Sequence, residues 1–430
     1  MPDAAMSAGE VETVDAHLAR VLGAVHPLAP VDEPLTAAHG RVLAVDVRSR
    51  LDIPRFDNSA MDGYAVRHSD VAAASAGHPV TLRVVAEVAA GGADDPAIGP
   101  GEAVHIMTGA PLPSSADAVV PIEHTDAGRD TVIVSVPPRI GAHVRRAGED
   151  LRAGDPVLAA GVRLTAARVS ALAAAGHARV VVQATPRVGV VSTGSELVTP
   201  GHPLARGQIP ESNSLLLAGL VRGAGGDVAH IATVPDDESV LDDELARCLD
   251  AGLDLIVLSG GVSVGAHDVV RAALGELRTV GFHTIAMQPG KPQAFGMLRR
   301  DDETPIPVFG LPGNPVATAV SFEAFVRPAL RRLQGAADVH RPRIVAVAAE
   351  SWRVPRAKVQ YMPVAVVTPA EAGPPGSAVD TRPRVRPATS GGSGSHLVGG
   401  LAAADGYAIV PAEVDEVRVG DPVTVMLVTS

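Results

Sequence analysis

The sequence predicts an α/β plus β protein assembled from several domains. Its 430 residues exceed what one ordinary core can organise, which sets an expectation of two to four domains. Between Thr185 and Gln334, apolar strand-like runs alternate with helix-like segments. On either side of that region short Val/Ile runs recur without helices between them.

Each element follows from its local pattern. Residues 13–27, TVDAHLARVLGAVHP, space their apolar positions for an amphipathic helix. Within residues 79–136 the runs TLRVVAEVAA, EAVHIM, ADAVVPIEHT and DTVIVSV read as strands of a small all-β module, with DAGRD as a hairpin turn. ARVSALAAAGHARV returns to helical character, so the first segment closes around this β insertion. The runs PRVGVVSTGSEL, DVAHIATVPDD, LDLIVLSGG and PIPVFGLPGNP then read as strands. They alternate with the helices SNSLLLAGLVRG, ESVLDDELARCLDAG, HDVVRAALGEL and VATAVSFEAFVRPALRRL, the pattern of a mostly parallel sheet with crossover helices. After Gln334 the strands RPRIVAVAAE, KVQYMPVAVV and DPVTVMLV, separated by the loops AEAGPPGSAVDTRP and TSGGSGSHLVGG, form a second small β domain.

Composition excludes several functions. A net charge of −12 argues against a general nucleic-acid or membrane-surface binder, and aromatics at 2% leave few stacking platforms for single strands. No apolar run approaches membrane-spanning length. The single Cys248 rules out an intramolecular disulfide and suits a reducing compartment; its place in DDELARCLDAG marks it as a small buried hydrophobe. The N-terminal MPDAAMSAGEVETVDAH is acidic and lacks an apolar h-region, unlike a signal peptide. The expectation is a soluble, cytoplasmic protein.

In open α/β sheets ligands bind beyond the carboxyl ends of the strands. Three turns fall there. The first carries Ser192, Thr193, Gly194 and Ser195 with Glu196 just inside the next element. The second carries Ser259, Gly260, Gly261, Ser263 and Gly265, followed by Asp268. The third carries Pro312, Gly313, Asn314 and Pro315 ahead of a helix. Glycine lets backbone approach a ligand, and helix N-termini offer free N–H groups to anions. GGVSVG lacks the dinucleotide spacing, and no G-x-x-x-x-G-K-[ST] occurs, so the standard nucleotide motifs are absent. Lysine occurs only at 291 and 358, and Lys291 sits between Gly290 and Pro292 in TIAMQPGKPQAFG. A compact ammonium on a stiff turn suits a small anion. Carboxylates interleaved with such turns (Glu196, Asp236, Asp237, Asp268) suit a hard divalent cation, Mg2+, bridging them to phosphate; the plainer alternative for each acid is a helix N-terminal position. The 15 His are scattered without an H-x-x-x-H pair or Cys partner, which disfavours zinc.

Two further polar clusters, FDNSAMDGYAV at residues 56–66 and HIMTGAPLP with Thr108, read by themselves as ordinary turns. Joined in order with RRAGED, STGSEL, SGGVSVGAHD, PGKP, GLPGNP and GSGSHLVGGLAAADGYAIVP, they resemble the molybdopterin molybdenumtransferases, the molybdenum insertase family related to the C-terminal part of gephyrin. The resemblance spans nearly the whole chain. It implies an elongated four-part fold: a split N-terminal domain (1–52 and 149–184), an inserted β lid (53–148), a molybdopterin-binding α/β domain (185–334) and a C-terminal β barrel (335–430). It further implies insertion of molybdate into adenylylated molybdopterin with release of AMP, in a homodimer whose lid reaches the pocket of the other subunit. The matching positions are Asp62 and Thr108 on the lid, Asp150 in RRAGED, and Glu196, Asp236 or Asp237, Asp268, Lys291, Pro312 and Pro315 on the α/β domain. Many relatives carry a second lysine where this chain has Gln288, so Lys291 is expected to be the only lysine of the anion pocket. Two other readings stand beside this one: a scaffold that keeps the fold, and a molybdopterin adenylyltransferase, which would lack the lid motif and the barrel.

Overall fold

The computed structural model describes residues 11–262, 269–275, 277–367 and 382–428. At its centre lies a seven-stranded sheet. Its order is Val11–Glu12, Val280–Ile285, Pro292–Arg299, Pro305–Leu311, Leu255–Ser259, Arg187–Thr193 and Asp227–Val234. The last four are mutually parallel. Leu255–Ser259 is wholly buried, as a parallel strand covered on both faces must be. Helix Glu238–Asp250 turns Leu241, Leu245 and Cys248 inward, and burial pushes the Cys248 thiol up to about 12. This is the small-hydrophobe role expected of it.

Three features depart from the sequence reading. Pro292–Arg299 runs antiparallel to both neighbours, so the stretch carrying Lys291 joins two strands that local pattern did not disclose. Val11–Glu12 adds an edge strand through parallel pairing with Thr284 and Ile285. The helix predicted over VATAVSFEAFVRPALRRL widens at Phe322–Val326 into a π turn between Pro315–Ser321 and Arg327–Leu333. Pro328 has no N–H to give to the preceding turn, which explains the local break in the ladder.

The lid sheet orders its strands Ala118–Pro121, Gly63–Val66, Glu102–Ile106, Val80–Val88 and Thr131–Val134. DAGRD therefore is not a simple hairpin. The strands before and after it lie on opposite edges of the sheet, and only the ends of the connection meet, in an isolated Thr125–Val134 bridge with the Ser135 N–H donating to the His124 carbonyl at 3.3 Å. Nearer the N-terminus, Pro30–Pro34 pairs with Arg179–Gln183, bringing together chain segments on either side of the lid.

The C-terminal strands close into a barrel, because Val359–Val367 pairs with both Arg384–Pro387 and Gly406–Val410. Arg343–Ala348 and Pro422–Leu427 complete the ring. Met287–Gln288, leaving the central sheet, pairs in parallel with Val359–Gln360 of the barrel. That short ladder docks the barrel against the turn carrying Lys291. Among the described residues no helix is long and apolar enough to cross a membrane.

Candidate active site

A cavity of about 750 Å³ opens where the parallel strands end. From the first turn come Thr193, Gly194 and Glu196; from the second, Ser259, Gly260 and Gly261; from the third, Pro312, Gly313, Asn314 and Pro315. Asp236 and Lys291 face the same space. The three turns picked out in the sequence thus converge on one site. Ser192 stands behind its wall, fully buried, with its hydroxyl donating to Glu211 Oε1 at 2.9 Å. Ser263, Gly265 and Asp268 lie outside the described residues.

The adjacent acids Asp236 and Asp237 separate in role. Asp236 lines the cavity and accepts from the Ser195 N–H at 3.1 Å through Oδ2. Asp237 is absent from the lining and caps helix Glu238–Asp250, accepting from the Ser239 hydroxyl at 2.7 Å and the Val240 N–H at 3.2 Å. Those bonds, the Ser239 hydroxyl first, hold its carboxyl below the usual range. For Asp237 the plainer alternative, a helix-terminal acid, is the geometry found.

Asp62, Thr108 and Asp150 do not line the cavity. On the lid, Asp62 Oδ1 accepts from the Thr108 N–H at 2.7 Å and its hydroxyl at 2.8 Å, so the two form one exposed unit. The Thr108 N–H foremost holds the Asp62 carboxyl below its ordinary value. Gly63 follows because a Cβ there would stand 2.0 Å from the Val120 carbonyl oxygen. Asp57 of the same motif holds the RRAGED segment instead, accepting from the Ala147 N–H at 2.8 Å and Arg146 Nη1 at 2.6 Å. Asp150 is exposed, its N–H donating to the Ile53 carbonyl at 3.0 Å.

The structure adds residues that sequence reasoning missed. Glu211, buried on the cavity wall, also accepts from the Ser214 N–H at 2.8 Å. Asn213 Nδ2 donates to Ser259 Oγ at 2.8 Å and to the Gly313 carbonyl at 2.7 Å, tying two of the turns together. Asn213 Oδ1 and Thr193 Oγ1 are buried without a hydrogen-bond partner among the described residues. Such orphaned atoms on a cavity wall are positions for a ligand's donors and acceptors. The barrel contributes Ser393, Ser395 and Lys358. Ser395 Oγ accepts from Asn314 Nδ2 at 3.0 Å, and its carbonyl accepts from the Val316 N–H at 3.1 Å. The expectation that Lys291 is the pocket's only lysine is therefore overturned. The ladder between Met287–Gln288 and Val359–Gln360 carries Lys358 to the same cavity. Its rarity in the sequence was the one available signal.

Away from the cavity, two sets of three metal-ligand side chains meet among the described residues: Glu12, His17 and His283, and His230, Glu244 and Cys248. In each the carboxylate is already shared between histidine and arginine. Arg20 Nη2 lies 3.1 Å from Glu12 Oε1, and Arg247 Nε lies 2.9 Å from Glu244 Oε2. Both read as satisfied hydrogen-bond networks.

Fold and cavity together define a multidomain α/β protein with a polar cavity, lined by both of its lysines, at the ends of its parallel strands. Comparison with known proteins narrows the class. Family models describe residues 12–176 as the MoeA N-terminal region (domains I and II), 189–332 as a probable molybdopterin-binding domain, and 345–428 as the MoeA C-terminal region (domain IV). The molybdopterin molybdenumtransferase 2 of Mycobacterium tuberculosis is 42% identical over 421 residues, covering 95% of this chain and 98% of that protein. The molybdopterin molybdenumtransferase of Nostoc sp. is 41% identical over 315 residues, covering 73% of this chain and 71% of its own length. The crystal structure of the molybdopterin biosynthesis MoeA protein from Pyrococcus horikoshii OT3 superposes with a TM-score of 0.78 at 28% identity, covering 97% of this chain and all of that one. This chain belongs to the molybdopterin molybdenumtransferase family.

Proposed function

We propose that this protein is a molybdenum insertase: it transfers molybdate into adenylylated molybdopterin and releases AMP, giving molybdenum cofactor. One observation carries the reading. A single cavity at the strand ends joins two ammonium groups, three carboxylates and two orphaned hydrogen-bonding atoms, in a chain of this family. The orphaned Asn213 Oδ1 accepts from, and the Thr193 hydroxyl bonds to, the polar edge of a pterin, which neither could reach in an apolar ligand. Lys291 holds phosphate. Cleavage of the phosphoanhydride leaves extra charge on the departing AMP, and a preorganised donor at such an oxygen contributes about 3 kcal/mol to lowering the barrier.

Glu196 and Asp236 would repel a phosphorylated substrate if they faced it unscreened. Both are hard oxygen donors, the set that suits Mg2+, and Asp268 of the SGGVSVGAHD motif is of the same type in the sequence. We assign Mg2+ to these three acids, where it neutralises phosphate charge when bound; Asp237 is excluded because its carboxylate caps a helix. The exposed Asp62–Thr108 unit lies outside the cavity of its own chain. We therefore propose a homodimer in which each lid completes the other subunit's pocket, giving two equivalent composite sites. A chain with one cysteine, and that one buried, suits the cytoplasm.

Purified protein mixed with adenylylated molybdopterin, molybdate and Mg2+ should release AMP. Leaving out molybdate, or replacing Lys291 by Ala, should each cut that release. No AMP at saturating substrate would contradict the reading.

A further inference from the structure

Lys291 ends the connection 286–291 between strands Val280–Ile285 and Pro292–Arg299. Backbone bonds hold most of that connection. The Ala286 N–H donates to the Glu12 carbonyl at 2.8 Å, Met287–Gln288 pairs with the barrel, and the Lys291 carbonyl accepts from the Ile285 N–H at 2.8 Å. Gly290, just before the lysine, is buried with φ +107, where an added Cβ would stand 3.0 Å from Met287 Cε and from Ser321 Oγ. A side chain holds its carbonyl: Gln293 Nε2 donates to it at 2.7 Å. Gln293 is 2% exposed and stands behind the cavity wall, in a strand whose next residues, Ala294 and Phe295, are buried and apolar. Packing alone would favour an apolar side chain there, since a buried carboxamide is costly unless it is bonded.

The carboxamide makes a second bond. Gln293 Nε2 also donates to Ser321 Oγ at 2.6 Å. The Gly290 carbonyl can only accept, so the amide nitrogen must be the atom that faces it. Ser321 is the last residue of helix Pro315–Ser321 and is wholly buried. One turn earlier on the same face lies Thr318, also wholly buried, whose hydroxyl donates to the Pro312 carbonyl at 2.6 Å and the Asn314 carbonyl at 3.0 Å. One helix thus carries both holds. Thr318 fixes the Pro312–Pro315 turn, and Ser321, through Gln293, fixes the turn bearing Lys291. We infer that Gln293 is a positioning residue for the transfer reaction: bonding Gly290 and Ser321 at once, it sets where Lys291 stands relative to the Pro312–Pro315 turn. It acts through the lysine. The inference rests on the insertase reading.

The test uses the intact protein and Gln293→Met, which keeps the length and bulk of the side chain but removes both N–H donors. Hydrogen exchange over residues 285–291, read by mass spectrometry, should quicken about tenfold, because the turn loses the bond at Gly290. AMP release from adenylylated molybdopterin should fall between about ten- and a hundredfold, the range for a catalytic group displaced by about 1 Å. A double variant separates positioning from packing. In Lys291→Ala, adding Gln293→Met should lower AMP release no further, because the carboxamide acts only through the lysine. Ser321→Ala leaves the Gly290 bond but frees the carboxamide from the helix, so it should show smaller changes in the same direction; should Gln293→Met fail to fold, Ser321→Ala takes its place in every comparison. Unchanged exchange over 285–291, or losses that multiply in the double variant, overturns the inference and leaves the insertase reading standing. Wild-type protein that releases no AMP overturns both.

Discussion

Replacing Gly260 by Ala tests why the second pocket turn is glycine. At Gly260 φ is +105, outside what an L side chain readily adopts. An added Cβ would lie 2.5 Å from the Thr193 carbonyl oxygen and 2.7 Å from Thr193 Oγ1. The obstacle is backbone of the neighbouring turn, so it cannot swing aside as a flexible side chain would. Left-handed strain costs about 1–3 kcal/mol and overpacking a similar amount, so about 3 kcal/mol is a reasonable sum after relaxation. For a domain of roughly 150 residues, that lowers the melting temperature by about 6–12 °C. Gly313 provides the control from the facing turn: its added Cβ would meet Gly260 Cα at 3.4 Å, an ordinary contact, and its φ is unrestricted. Gly313→Ala should melt within about 2 °C of wild type, as a surface change does. Calorimetry reads both. Displacement of Thr193 should also weaken molybdopterin binding in Gly260→Ala. If Gly260→Ala melts like wild type, the close approach of the two turns is not what demands glycine.

Other outcomes follow from the same geometry. Asp236→Ala should depress AMP release at least tenfold with little change in melting temperature, whereas Asp237→Ala should lower the melting temperature and leave turnover largely intact; the reverse pattern would interchange their roles. Asp62→Ala and Lys291→Ala, each inactive alone, should recover part of their activity once mixed and allowed to exchange subunits, because one composite site of the mixed dimer is then intact. No recovery after exchange has been demonstrated by labelled subunits would mean that each chain builds its own site. His17 is held near 4 by burial, first of all, against an ordinary value of 6.5. Its neutral form is the one the fold favours, so the unfolded chain binds more protons between those values. Stability should therefore be level above pH 6.5 and decline as pH falls from 6.5 towards 4, and His17→Gln should flatten that decline in melting curves.

Much of the site was legible because strand-end turns announce themselves locally. An apolar run, a Gly- or Pro-rich break and a following helix pattern located Thr193, Gly260 and Asn314, and the fold brought them to one cavity. What stayed hidden depended on pairings distant in sequence. Val11–Glu12 is a strand only because Thr284–Ile285 lies beside it. Lys358 reaches the cavity only because the barrel docks on Met287–Gln288. Adjacent residues such as Asp236 and Asp237 are chemically alike, yet one lines the cavity and the other caps a helix, and only the backbone at the helix start decides which one caps. Gly260 was read as leaving room for a ligand; the nearest atoms to its missing side chain belong to Thr193.

The measurement closest to the central claim is a single-turnover transfer. Protein loaded with adenylylated molybdopterin is mixed with molybdate and Mg2+, and AMP and molybdenum-loaded cofactor are counted over the same interval, the cofactor by its ability to activate a molybdenum-free apoenzyme. The account predicts equal amounts of the two, rising together, and both lost in Lys291→Ala. AMP released without loaded cofactor, or loaded cofactor formed without AMP, would contradict it.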